Sequence, residues 1–168
     1  MVELVEEYGP AWSPGPFECG TDGPQVIVVG VDDSRTAWRA GAYAAGLARR
    51  QHCRLVVVYV AARSVWAGAG PAVWAGAVPA VAAAEEQWFE EVIAEQRRQI
   101  RSRADETGVP ITFMVRRGDA FIELREAATE LRADMVVVGA SEHAGHRLIG
   151  SIATRLVRAG RWPVTVVP

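Results

Sequence analysis

Short runs of apolar residues recur along the chain at the length of β-strands, and stretches of helix-forming composition separate them. These runs are rich in β-branched residues and show no alternation with polar ones, which indicates strands covered on both faces. The five runs are Val26–Val31, Leu55–Val60, Ile111–Val115, Met135–Val138 and Pro163–Val167. The resulting order, β-α-β-α-β-α-β-α-β, predicts an α/β fold with an open five-stranded parallel sheet and helices on both faces.

The predicted helices are bounded by residues that commonly begin or end helices. Either Asp33 or Ser34 could cap the first helix, which runs to Arg50, and Asp119 could cap the third. The second helix is predicted from about Val81 to Thr107, where Gly108 and Pro110 follow. The fourth is predicted from Gly150-Ser151 to about Gly160.

Two of these helices carry apolar or long side chains at helical spacing, as a helix packed on a sheet requires. In the second helix these positions are Trp88, Val92, Gln96 and Ile100, and in the third they are Ala120, Leu124, Ala127 and Leu131.

Two segments show no regular period and are rich in glycine and proline. Residues 1–23 are predicted to be an irregular N-terminal extension, followed by one domain over 24–168. Residues 61–79, which include Trp66 and Trp74, are predicted to be a long loop.

Composition and charge exclude several classes of function. The net charge is −2 without a basic block, so neither nucleic acid nor a membrane is an expected partner. The 18 basic residues are all arginine, which excludes a Schiff-base lysine and the lysine of a Walker A loop. Cys19 and Cys53 have no metal-site spacing. The chain has no apolar run of membrane-spanning length and begins with an acidic segment, so we expect a cytoplasmic protein.

Candidate site residues follow two of the predicted strands. Asp32-Asp33-Ser34 come directly after the first strand, and Gly139-Ala140-Ser141 after the fourth. Ligands of open parallel sheets bind at the carboxyl ends of strands where the winding reverses. A helix that begins at Gly150-Ser151 would offer free N–H groups to an anion there. The same residues also admit a purely structural interpretation, in which Ser151 caps a helix and Gly139 turns the chain.

Four motifs in this order resemble the universal stress protein family. They are the strand that ends in Asp32-Asp33-Ser34, Arg117-Gly118-Asp119, Ala133–Gly139, and Gly150-Ser151 followed by a short helix and Pro163–Val167. The resemblance covers roughly residues 25–168. It implies a strand order of 3-2-1-4-5 and a regulatory module in the stress response that binds ATP or AMP, with Mg²⁺ expected only alongside ATP.

The resemblance also implies which residues bind the nucleotide. In ATP-binding members the aspartate after the first strand lies at the adenine-ribose end, and the glycines and hydroxyl of the last helix hold phosphates. The matching positions are Asp32, Val60, Val138, Gly139, Gly150, Ser151 and Ile152. No catalytic residue and no metal ligand is implied.

The phosphate loop departs from the family pattern in two ways. Glu142 stands where those members have a second glycine, and only seven residues, 143–149, then precede Gly150 instead of nine. A shorter loop leaves less room for a triphosphate, and a carboxylate beside it repels the phosphates. The alternative function is therefore a universal stress protein that does not bind ATP and acts as a dimeric protein-interaction module.

Two other classes of function fit less well. A phosphoacceptor domain would use Asp32 and Asp33 but also needs a lysine, and the chain has none. An enzyme is not expected, because none of the nucleophile or dinucleotide motifs stands in a suitable context. The last strand, Val164–Val167, is predicted to be a sheet edge, and family members commonly dimerise there, so we expect a homodimer through the C-terminal strand.

Overall fold

The computed structural model describes residues 23–61, 78–141 and 150–168. In that part of the chain, five strands alternate with four helices, as the apolar pattern predicts. The elements are β1 Val26–Val31, α1 Arg35–Gln51, β2 Arg54–Ala61, α2 Val78–Thr107, β3 Ile111–Arg117, α3 Ala120–Glu130, β4 Met135–Gly139, α4 Ser151–Ala159 and β5 Val164–Val167.

All strands are parallel and form one sheet in the order β3-β2-β1-β4-β5. The first half of the chain therefore extends to one side of β1 and the second half to the other. Val28 of β1 lies between Val56 of β2 and Val136 of β4. This confirms the predicted fold class and strand order, and it makes β1 and β4 neighbours at the point where the winding reverses.

The sheet is buried on both faces, and its apolar residues divide into two cores. One core joins Ile27, Val29 and Val57 to three alanines of α1 and to Ile100 of α2. The opposite core joins alternate residues of the same strands to α3 and α4, among them Leu124 and Leu156. Successive side chains of a strand point to opposite faces, so a continuous apolar run supplies both cores. Full burial of each such side chain stabilises the fold by about 1.5–3 kcal/mol.

The helix ends agree closely with the sequence. Ser34 caps α1, because its Oγ accepts from the N–H of Ala37 at 3.1 Å, and Asp119 caps α3 by accepting from Ile122. Gly108 and Gly160 follow α2 and α4 with φ of +66° and +60°, in the left-handed region that glycine favours.

Both predicted ends of the loop over 61–79 need correction. Ala61 belongs to β2, and α2 begins at Val78 instead of Val81. Pro79 favoured a loop in the sequence, but the first turn of a helix tolerates proline because its N–H needs no partner there. Residues 62–77, with Trp66 and Trp74, lie outside the described residues, as do residues 1–22 of the predicted extension.

The predicted seam of α2 is also only partly right. Gln96 and Ile100 are buried, together with Ile93, whereas Trp88 is 62% exposed. At 3.6 residues per turn, positions twelve apart differ by about 120° around the helix. Trp88 therefore turns away from the face that carries Ile100. No helix in the described part of the chain is long and apolar enough to cross a membrane.

Candidate functional site

A cavity of about 280 Å³ opens at the carboxyl ends of β1, β2 and β4. The beginnings of α1, α3 and α4 close its sides. The seven residues predicted for the site all line this cavity: Asp32, Val60, Val138, Gly139, Gly150, Ser151 and Ile152. The structure thus brings together the acidic turn after β1 and the beginning of α4, while the binding role of each residue stays a prediction.

Gly139 packs directly against the first turn of α1. A Cβ built at this position would lie 2.6 Å from the carbonyl carbon of Thr36 and 2.7 Å from the nitrogen of Ala37. These are backbone atoms, which cannot swing aside as a flexible side chain can. Close packing between β4 and α1 therefore requires glycine at this position. The sequence predicted a role for Gly139 beside phosphates and did not indicate this packing role.

The hydroxyl of Thr36 also links the first turn of α1 to the end of β4. Its Oγ1 donates to the carbonyl oxygen of Ala140 at 2.7 Å and lies 3.2 Å from the Oγ of Ser34. Both hydroxyls line the cavity. No local motif in the sequence indicates a role for Thr36, because its contact with Ala140 depends on the register of β1 against β4.

The acidic turn is held by hydrogen bonds of its own. Asp32 accepts from the N–H of Ser34 at 2.9 Å, which fixes its carboxylate at the rim of the cavity. Asp33 points elsewhere and accepts from the side-chain amide of Gln96 in α2 at 2.8 Å. Burial, followed by the negative charges of Asp33 and Asp32, raises the pKa of the Tyr59 phenol at the end of β2. Tyr59 therefore stays protonated beside the two carboxylates.

The beginning of α4 differs from those of α1 and α3, because no side chain caps it. Gly150 occupies the N-cap position without a side-chain hydrogen bond, and the first bond within the helix is from Thr154 N–H to the carbonyl of Gly150. The N–H groups of Ser151, Ile152 and Ala153 come before that bond, and these residues line the cavity. Such amides, with the positive end of the helix dipole, suit a bound anion.

Gly150 also lies close to Ser141, the described residue that precedes it in the chain. A Cβ at Gly150 would lie 3.1 Å from the Cβ of Ser141, so the two residues that flank 142–149 meet beside β4. Residues 142–149, with Glu142, His143, His146 and Arg147, lie outside the described residues. Among the described residues that line the cavity, Asp32 has the one charged side chain. No group of three or more potential metal ligands occurs in the described part of the chain.

The comparisons with known proteins agree with this architecture. The model of the universal stress protein family matches residues 24–168. A universal stress protein of Methanocaldococcus jannaschii is 27% identical over 143 residues, which cover 84% of this chain and 80% of the relative. The crystal structure of a member from Burkholderia pseudomallei is also 27% identical, with a TM-score of 0.63, and the match covers 92% of this chain and 99% of that one.

Two further solved structures share the fold at lower identity and are described with a nucleotide. One is a universal stress protein in complex with cAMP, at 24% identity and a TM-score of 0.59, covering 86% of this chain and 96% of that chain. The other, from Arabidopsis thaliana, has AMP bound, at 17% identity and a TM-score of 0.56, covering 86% and 91%. At these identities the likeness shows a shared fold, and the nucleotides are properties of those two proteins.

Proposed function

This chain belongs to the universal stress protein family, and from that premise we propose that it is a regulatory module that binds an adenine nucleotide, ATP or AMP, without dedicated catalysis. The observation that carries the proposal is the uncapped beginning of α4, which faces the same cavity as Asp32. Free amides at one side and a carboxylate at the other match a ligand with phosphate at one end and hydroxyl groups at the other.

In the proposed complex the phosphates lie against the N–H groups of Ser151 and Ile152. The ribose hydroxyls donate to Asp32, and the base rests on the apolar side chain of Val60. Gly139 and Gly150 allow the ligand to approach the backbone closely. Hydrogen bonds to an anion from fixed backbone amides are charge-assisted and stronger than those between neutral groups.

The charge of the cavity favours a ligand with few phosphates. The described lining has no cationic side chain, and Glu142 adds a negative charge to the loop that connects Ser141 to Gly150. We therefore propose that AMP binds more tightly than ATP, and that Mg²⁺ accompanies the nucleotide only in the case of ATP.

Equilibrium binding of radiolabelled AMP and ATP to the full chain tests this proposal. We expect micromolar affinity for AMP, weaker affinity for ATP, and loss of both in Gly150→Arg, because the new side chain occupies the beginning of α4. Val157→Arg is the matched control, since Val157 is exposed on the same helix and does not line the cavity. Absence of binding at millimolar nucleotide would refute the proposal and leave the alternative, a dimeric protein-interaction module that does not bind ATP, which the altered phosphate loop favours.

We also propose that the chain forms a homodimer by pairing β5 with its copy. β5 is an edge strand, and its four residues are partly exposed. The N–H groups of Val136 and Ala140 donate to the carbonyls of Pro163 and Val167, so the backbone groups of alternate β5 residues face β4. The backbone groups of Val164 and Val166 consequently face outward and are available to a second copy.

Light scattering at tens of micromolar protein tests the dimer. We expect a dimeric mass for the parent chain and a monomeric mass for Val166→Pro, which removes an outward N–H and leaves the bonds to β4 intact. Thr165→Pro is the control, because it removes an N–H that faces β4 and should lower stability instead. A monomeric mass for the parent chain contradicts this part of the proposal.

A further inference from the structure

A buried amide lies on the face of α2 that packs against the rest of the domain. Gln96 is only 4% exposed, and its buried neighbours along this face, Ile93 and Ile100, are apolar. Its Oε1 has no hydrogen-bond partner among the described residues. Burial of an amide with one of its polar atoms unpaired is unfavourable. Packing alone therefore does not account for a glutamine at this position, because an apolar side chain of the same length would fill the space without that cost.

The other end of this amide is bonded to the acidic turn after β1. Its Nε2 donates to Oδ1 of Asp33 at 2.8 Å, across 63 positions of the sequence. A carboxylate oxygen only accepts, so the orientation of the amide is fixed. A hydrogen bond to a charged acceptor is stronger than one between neutral groups. Gln96 thus links α2 to the turn that borders the cavity at the carboxyl ends of β1, β2 and β4, which we call the nucleotide crevice.

The bond from α2 separates two adjacent carboxylates. Asp32 lines the nucleotide crevice, whereas Asp33 does not. The next residue, Ser34, is held from the side of α1, because its Oγ accepts from the N–H of Ala37. The N–H of Ser34 in turn donates to Asp32 at 2.9 Å. With Ser34 held by α1 and Asp33 held by α2, the carboxylate of Asp32 remains on the crevice side of the turn.

We propose that Gln96 is a positioning residue for the nucleotide crevice. It holds Asp33 on the α2 side of the acidic turn and thereby places the carboxylate of Asp32 where it accepts from the ribose hydroxyls. This inference rests on the proposed function and extends the site to α2, none of whose described residues lines the crevice. The amide acts through Asp33 and does not touch the ligand. Its effect is therefore specific to a ligand whose ribose carries free hydroxyls.

Calorimetric titration of the full chain with AMP and with 2′,3′-dideoxy-AMP, which lacks those hydroxyls, tests the proposal. Gln96→Met keeps the length of the side chain and removes the donor. We expect the affinity for AMP to fall roughly tenfold, the order of magnitude that a hydrogen bond to a charged group contributes, and the affinity for dideoxy-AMP to stay unchanged. The variant should be no less stable than the parent in urea unfolding, since methionine leaves no unpaired polar atom in the core.

Gln99→Met is the matched control. Gln99 is exposed on the same helix, and its Nε2 also donates to a carboxylate, that of Glu95 at 2.6 Å. This control should bind both nucleotides as the parent does.

Changes at the acceptor test whether the two residues act together. Asp33→Leu cannot accept and should lower the affinity for AMP as Gln96→Met does. The double variant should bind no more weakly than either single variant, because both changes remove the same bond. Asp33→Asn, whose amide oxygen still accepts from Gln96, should lose less than Asp33→Leu.

The outcomes distinguish this inference from the function on which it rests. If the parent binds AMP and Gln96→Met binds it equally well, the positioning role fails while the proposed function stands. Equal losses for AMP and dideoxy-AMP in Gln96→Met would also overturn the positioning role, because they would indicate a general distortion of the crevice. If the parent binds neither nucleotide at millimolar concentration, the proposed function and this inference fail together.

Discussion

Replacement of Gly139 by alanine should destabilise the whole domain, because it forces α1 away from β4. The new Cβ would lie 2.6–2.9 Å from backbone atoms of Thr36 and Ala37, whereas carbon atoms in contact are separated by about 3.5–4.0 Å. Only a displacement of the first turn of α1 relieves this clash. Overpacking of this kind costs about 1–3 kcal/mol.

Two smaller terms accompany the clash. The displacement strains the hydrogen bond from Thr36 to the carbonyl of Ala140, which contributes about 1 kcal/mol. Alanine also restricts the unfolded chain more than glycine does, which offsets about 0.4–1 kcal/mol. The net loss in the free energy of unfolding is therefore about 1–3 kcal/mol.

Urea unfolding followed by circular dichroism measures this loss, and Gly41→Ala is the control. Gly41 is inside α1 and a Cβ there meets nothing within 4 Å, so alanine should stabilise that helix by about 0.8–1 kcal/mol. The two glycine-to-alanine changes should thus have opposite signs. Equal effects of the two, or a Gly139→Ala chain as stable as the parent, would refute the close packing of β4 on α1.

Two further outcomes follow from the cap of α1 and from the buried thiol. Ser34→Ala removes the acceptor for the Ala37 N–H and should lower the free energy of unfolding by about 1 kcal/mol in the same urea assay. Ser34→Asp, which keeps an acceptor at the N-cap, should retain most of the parent stability. Burial, and after it the charge of Asp134, raises the pKa of the Cys53 thiol. In a Cys19→Ser chain, iodoacetamide should therefore alkylate Cys53 at pH 8 far more slowly than in urea; equal rates would contradict the burial. Because the folded-state pKa is raised, this thiol contributes stability below its ordinary pKa, and that contribution falls as pH rises above it.

The fold class, the strand order and the helix caps could be predicted from the sequence. Continuous β-branched runs such as Val26–Val31 are stable only when both faces of a sheet are covered, so the fold class followed from local composition. The resemblance supplied the order of the strands, and the pairings of β1 with β2 and β4 confirm it. Helix caps were also predictable, because Ser34 and Asp119 act on amides within three residues of themselves.

Features that depend on contacts between distant residues were not predictable. Gln96 has the spacing of a core position in α2, but its hydrogen bond to Asp33 links residues 63 positions apart. The contact of Gly139 with Thr36 likewise joins two elements through the tertiary structure. The family motifs indicated the seven residues around the crevice. They did not indicate the open space between α1 and α2, since the small residues of α1 are equally compatible with tight helix packing.

Substitution of Glu142 best distinguishes a module that binds ATP from one that has lost ATP binding. A like-charge contact at about 4 Å costs on the order of 4 kcal/mol at an effective dielectric of 20, before screening by salt. That amount corresponds to about a thousandfold in affinity. If Glu142 opposes the distal phosphates, Glu142→Gly should strengthen ATP binding by up to this factor and AMP binding by much less, because AMP has one phosphate at the beginning of α4. Glu142→Gln, which removes the charge and keeps the size, should produce most of the gain, and the gain should shrink in high salt. An equal change for AMP and ATP would instead indicate that the length of the loop, seven residues before Gly150, limits binding.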